Sequence, residues 1–97
     1  MAILYIIYSS KIDRYYIGIT FEDITTRLQK HNQASYRSRY TSQSDDWETK
    51  LTINANDMSH ARRMELYVKR RKSRIYLNDL ITKDYLQQKL IAITLSP

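Results

Sequence analysis

The 97-residue chain has no cysteine, which excludes a disulfide scaffold, a thiol nucleophile, a zinc ribbon and an iron–sulfur centre together. Histidine occurs only as His31 and His60, too few for a multi-histidine metal site. The lone proline is terminal, so no element is interrupted by one. No apolar run approaches the roughly 20 residues needed to cross a bilayer, so a membrane protein is not expected. Residues 2–8 are apolar but lack a basic leader and a small-residue cleavage site; they read as a strand, not a signal peptide, and a cytoplasmic location is expected. At 42% hydrophobic and 27% charged, the composition is that of an ordinary globular protein, and the length predicts one domain over residues 1–97.

What the chain does have is a localised excess of positive charge. Its net charge is +6, and the stretch from Arg62 to Arg74 holds seven bases against the single acid Glu65, leaving nine bases and nine acids elsewhere. The entire excess therefore sits on about four helical turns. Seven bases and one acid are not neutralised by helical ion pairs, so a polyanion is the natural partner.

Hydrophobic periodicity predicts the elements. Residues 2–8 are apolar at every position, as in a strand buried on both faces and hence central in its sheet. A polar turn over 9–13 leads to a second strand over 14–20, an antiparallel hairpin in which Tyr16, Gly18 and Thr20 point one way. Thr20-Phe-Glu-Asp23 resembles a capping box, and Ile24, Leu28 and His31 at helical spacing predict a helix over about 21–32. Residues 33–46 are polar and aperiodic. Trp47, Thr49, Leu51, Ile53 and Ala55 then alternate with polar residues, predicting an edge strand with one wet face. Asp57 or Ser59 can cap a helix with Met58, Ala61, Met64 and Val68 inward. Ser73 can start another carrying Ile75, Leu77, Leu80 and Ile81, and Thr82 a last one with Leu86, Leu90 and Ile91 inward.

Three residues break the local rules of these elements, and such breaks concentrate at functional sites. Gly18 lies inside a strand, where a missing Cβ admits another backbone or a ligand, or marks a bulge. Glu65 borders an apolar helical stripe, and a half-buried carboxylate wants a cation: Arg62, Lys69 or a divalent metal such as Mg²⁺ or Mn²⁺. Arg27, four residues before His31, borders the stripe of the first helix; its planar donor fork suits phosphate oxygens or a structural salt bridge.

Tyr5, then Tyr16-Ile17-Gly18 eleven residues on, Arg27 and His31 in one helix and Glu65 in the next together resemble the GIY-YIG nuclease superfamily, over about residues 3–81. The closest likeness is to its small stand-alone members, which show Tyr-Tyr-hydrophobic-Gly (Tyr15 to Gly18), Arg-Leu-x-x-His-Asn (Arg27 to Asn32), a Trp opening the third strand (Trp47) and a basic Lys-Ser-Arg run (Lys72 to Arg74). The first motif reads Ile3-Leu4-Tyr5, so its glycine is absent and only the tyrosine carries over. Asn78 is a loose match to a polar residue that several of these nucleases place after the metal-binding helix.

The resemblance implies an α/β (α+β) fold: a three-stranded antiparallel sheet, its first strand central, flanked by helices; beyond the matching stretch, the spacing of Leu86, Leu90 and Ile91 predicts a C-terminal helix over about 83–94. It implies one divalent ion and hydrolysis of a DNA phosphodiester. On that reading Glu65 holds the metal, Arg27 contacts the scissile phosphate, Tyr5 is the general base, Tyr16 bonds water or phosphate, His31 orients Tyr5 or shares its proton, and Gly18 makes space for phosphate. Lys69, Arg70, Lys72 and Arg74, with Arg37 and Arg39 in the long loop, would grip the DNA backbone without reading sequence, while Tyr36 and Tyr40 stack on bases or pack over the sheet edge. The small size leaves little surface for a long target sequence, so structure-directed or weakly specific cleavage is expected, in repair or recombination. The oligomeric state, monomer or weak homodimer, stays open. Two rival classes remain: a non-catalytic nucleic-acid-binding module that keeps the nuclease fold, and an interaction subunit whose basic helix docks on an acidic partner.

Overall fold

A computed structural model describes residues 2–33 and 43–96. Its elements are β1 (Ile3–Ser9), β2 (Arg14–Thr20), α1 (Ile24–Asn32), β3 (Glu48–Asn54), α2 (Met58–Arg71), α3 (Arg74–Thr82) and α4 (Asp84–Ile93). The three strands form one antiparallel sheet in the order β2-β1-β3. The all-apolar first strand is thus central, and Leu4, Tyr5, Ile6 and Ile7 are each at most 1% exposed.

Alternation along β1 divides the core in two. Leu4 and Ile6 join Ile53, Ala61, Met64, Val68, Leu80 and Leu90 in the main cluster, so α2, α3 and α4 cover that face. Tyr5 and Ile7 pack with Trp47 and with Ile24 and Leu28 of α1 on the other. The sheet therefore lies between α1 and the three later helices.

The hairpin joining β1 to β2 is turned by Asp13, whose φ of 53° is left-handed, a conformation aspartate tolerates. The Asp13 carboxylate accepts hydrogen bonds from Arg74 and from the Tyr8 hydroxyl, which tie the hairpin to the start of α3 and hold the Asp13 pKa down at about 2. Asp57 caps α2 by accepting from the His60 N–H at 2.8 Å, and Ser73 caps α3 by accepting from the Tyr76 N–H at 3.1 Å.

Four local expectations are corrected. Thr20 is buried at the end of β2, and its hydroxyl accepts from the Glu22 N–H at 2.9 Å in a turn; the cap of α1 is Asp23, accepting from Thr25 N–H at 3.1 Å, so the helix starts later than its pattern implied. Thr82 donates back to the Asn78 carbonyl at 2.9 Å instead of capping α4, because it still belongs to α3. Ile75 is 75% exposed, since it falls on the outer side of α3's first turn. In β3, alternation is broken by a bulge: Ile6 pairs with Leu51 but Ile7 with Thr49, leaving Lys50 as the extra residue. Leu51 and Ile53 consequently face Leu4 and Ile6, while Trp47 crosses to the side of Tyr5.

Candidate active site

The β1–β2 register sets Tyr5 opposite Gly18 and Ile7 opposite Tyr16, so both tyrosines project from the face covered by α1. Their ring centroids are 6.3 Å apart. Gly18 causes no bulge, because pairing is continuous through it. A Cβ there would lie 2.4 Å from the Tyr5 hydroxyl oxygen, so the room expected for a phosphate is filled by the phenol itself.

Helix α1 brings Arg27 and His31, one turn apart, over that phenol. Arg27 Nε donates to the Tyr5 hydroxyl oxygen at 3.3 Å, and the same hydroxyl lies 2.9 Å from His31 Nε2. With its oxygen accepting from the guanidinium, the phenol has its proton to give to Nε2, which fits the neutral imidazole tautomer protonated on Nδ1. Burial, reinforced by the Arg27 charge, lowers the His31 pKa to about 4, so the ring is neutral at pH 7. Tyr16 closes the group, its ring 5.2 Å from that of His31; it is half-buried where Tyr5 is buried, and so is the more accessible phenol.

Two residues that chain periodicity did not single out support this arrangement. Asn32, next to His31, accepts from Trp47 N–H at 2.7 Å and donates to Trp47 O at 3.0 Å, pinning the end of α1 to the start of β3. Asp46 accepts from Ser9, from Ser10 at 2.9 Å, from Ser44 at 2.5 Å and from Lys11 N–H at 3.0 Å, which holds its carboxyl well below the usual carboxylate range. Both lie in polar stretches where only the tertiary partner distinguishes a clasp from a solvated side chain.

Glu65 flanks the buried stripe of α2, its side chain 23% exposed, and pairs with Lys69 at 3.3 Å, one of the two partners its spacing offered. It makes no hydrogen bond to the Tyr5 group among the described residues, and no cluster of three metal-ligating side chains occurs among them. A single carboxylate does suit Mg²⁺, which keeps much of its water and takes its other ligands from substrate phosphates. Asn78 accepts from the Tyr15 hydroxyl at 2.7 Å; Tyr15 points away from Tyr16, so Asn78 stands outside the phenol group.

The basic run divides in the same way. Lys69, Arg70, Lys72 and Arg74 are exposed. Arg74 is ion-paired with Asp13 and lies 5.3 Å from the Tyr15 ring. Arg63 is structural, donating to the carbonyls of Thr94 and Leu95 at 2.7 Å each, and Arg71 stacks 4.5 Å from the Tyr67 ring. Arg37 and Arg39, with Tyr36 and Tyr40, fall outside the described residues. His60, the other histidine, is also structural: its Nδ1 accepts from Asn56 N–H at 3.1 Å, so Nε2 carries the proton it gives to Thr94 Oγ1 at 3.0 Å and Ile91 O at 3.2 Å.

The sequence model of the GIY-YIG catalytic domain matches residues 1–78, so this chain belongs to the GIY-YIG family, a family of nucleases that act on DNA as endonucleases. Comparison with curated proteins and with solved structures returned no match. Among the described residues, no helix is long and apolar enough to cross a membrane.

Proposed function

We propose that the chain is a metal-dependent endonuclease that hydrolyses DNA phosphodiesters with structure-directed or weak sequence preference, in repair or recombination. The reading rests above all on one observation, the Arg27–Tyr5–His31 hydrogen-bond chain beside Tyr16. A phenol ordinarily has a pKa of about 10, so a phenol base needs help. Arg27 supplies it by placing positive charge on the oxygen where phenolate charge would develop. Neutral His31 orients the hydroxyl and takes its proton at Nε2 as Tyr5 takes one from the attacking water. Arg27 also contacts the scissile phosphate and stabilises charge growing on its oxygens. Tyr16, the more accessible phenol, hydrogen-bonds water or phosphate beside it. Gly18 serves the site by leaving room for Tyr5. Glu65 would hold one divalent cation, Mg²⁺ or Mn²⁺, which when bound shields the phosphate and acts as a Lewis acid. Lys69, Arg70, Lys72 and Arg74 contact the backbone, with Arg37 and Arg39 as further candidates.

The test is nicking of supercoiled plasmid and cleavage of labelled branched DNA by wild type, Arg27→Ala and Glu65→Ala, each with Mg²⁺, Mn²⁺ or EDTA. Expected is metal-dependent cleavage that falls about 10²–10³-fold in Arg27→Ala and is lost in Glu65→Ala, with DNA binding kept in both. Equal inactivity of all three proteins with binding intact would make the chain a binding module. Full activity of Glu65→Ala would remove the metal role from that residue.

A further inference from the structure

On the side of β2 away from the phenols, where the hairpin meets the junction of α2 and α3, lies a cavity of about 270 Å³. Arg14, Lys69, Lys72 and Arg74 line it, against the single carboxylate of Asp13. Convergence of four cations on one small cavity is unfavourable unless it is compensated, and the compensation present is partial. Arg74 is neutralised by Asp13, and Lys69 by Glu65. Among the described residues neither Arg14 nor Lys72 forms an ion pair, so two positive charges remain. The geometry is also held: Asp13 takes both terminal nitrogens of the Arg74 guanidinium and the Tyr15 ring lies 5.3 Å from it, which fixes this side chain at the cavity wall.

We propose that this cavity is a second phosphate subsite for the DNA backbone, separate from the phosphate position at Arg27. It rests on the DNA reading given above and adds a residue, Arg14, that belongs to neither the phenol group nor the basic run. Arg14 opens β2 and shares a face with Tyr16 by the period of the strand, yet it also borders the cavity on the other side. It therefore stands at the outer edge of the sheet, because β2 is an edge strand. A DNA strand reaching both phosphate positions crosses that edge at Arg14. The contact is to a phosphodiester and carries no sequence information, so it adds affinity and register only.

Binding of labelled duplex and branched DNA is measured by anisotropy in EDTA over a salt series, for wild type, Arg14→Gln, Lys72→Gln, the double variant and Arg62→Gln as an exposed base outside the cavity. Each single variant is expected to weaken binding several-fold. The double variant should lower the slope of log K against log salt by about one, the value for one lost phosphate contact, while melting temperatures stay at the wild-type value. Arg62→Gln should leave the slope unchanged. A double variant with wild-type affinity and slope would overturn the subsite. So would saturable binding of inorganic phosphate at these residues that DNA does not displace, which marks a small-anion site. Failure of the nuclease reading looks different: a wild type that binds through Arg14 and Lys72 but never nicks keeps the subsite, and a nicking enzyme indifferent to both residues loses it.

Discussion

The two faces of β1 are equally buried and chemically opposite. Leu4 and Ile6 look into a core made by three helices, whereas Tyr5 and Ile7 look at a single nine-residue helix that brings Arg27 and His31. Burial by itself thus does not tell a stabilising face from a reactive one. What differs is the covering: the buried members of the main cluster are aliphatic side chains and Met64, with Tyr15, Tyr67 and Tyr76 packed at its margin, whereas the other face is closed by a hydrogen-bonded polar group sealed with Trp47. Apolar burial supplies most folding free energy, so the face under α2 to α4 carries the stability that lets the α1 face hold the buried Tyr5 phenol and His31 imidazole with the half-buried Arg27 beside them.

The sharpest way to break this division is to open the helical face. Met64→Ala removes a fully buried side chain and is expected to cost about 2–5 kcal/mol by urea denaturation while leaving cleavage per folded molecule unchanged. A selective loss of activity without loss of stability would show that the faces are not separate. On the polar face the probe is pH. His31 titrates at about 4 when folded and near 6.5 when unfolded, so the unfolded chain binds the extra proton between these values. Its contribution is complete above about pH 6.5, declines as pH falls toward about 4 and is level below that, a total on the order of 3 kcal/mol. Denaturation of wild type against His31→Gln across this window should show the wild type losing more stability on acidification; parallel curves would refute the assignment.

A smaller effect is expected at the contact between β1 and β2. Gly18→Ala sets a methyl group 2.4 Å from the Tyr5 hydroxyl, which must move, costing about 1–3 kcal/mol and disturbing the bonds to His31 and Arg27. Wild-type stability in that variant would mean that the phenol has another place to sit. The least change belongs to Ile75→Ser, at a position 75% exposed: within about 0.5 kcal/mol by the same measurement, where a large loss would place Ile75 in the core after all.

Much of this division was legible in the residues. Period-two alternation along β2 put Tyr16, Gly18 and Thr20 on one face, and the apolar run 2–8 marked the central strand. The cap Ser73, and Asp57 as one of the two offered with Ser59, were readable because a cap bonds only two or three residues along the chain. Harder to read was the side of the sheet each β3 residue takes. One extra residue, Lys50, reverses the faces on either side of it, and nothing in an alternating pattern reveals an unpaired position.

By itself, then, the sequence determined most of the elements, the central place of β1 and the concentration of charge between Arg62 and Arg74, since each of these is carried by the backbone's own periodicity or by composition, while the family showed only through the resemblance of its motif residues. Only the tertiary structure decided that Trp47 seals the Tyr5 face, that the Asn32 amide clamps it there, that Gly18 makes way for a phenol and that Asp13 takes Arg74 while Arg14 joins Lys72 at the cavity. The partners in these contacts lie from 13 to 61 residues apart, as in Tyr5 to Gly18 and Asp13 to Arg74. Their meeting depends on strand register and helix packing, which no local pattern encodes.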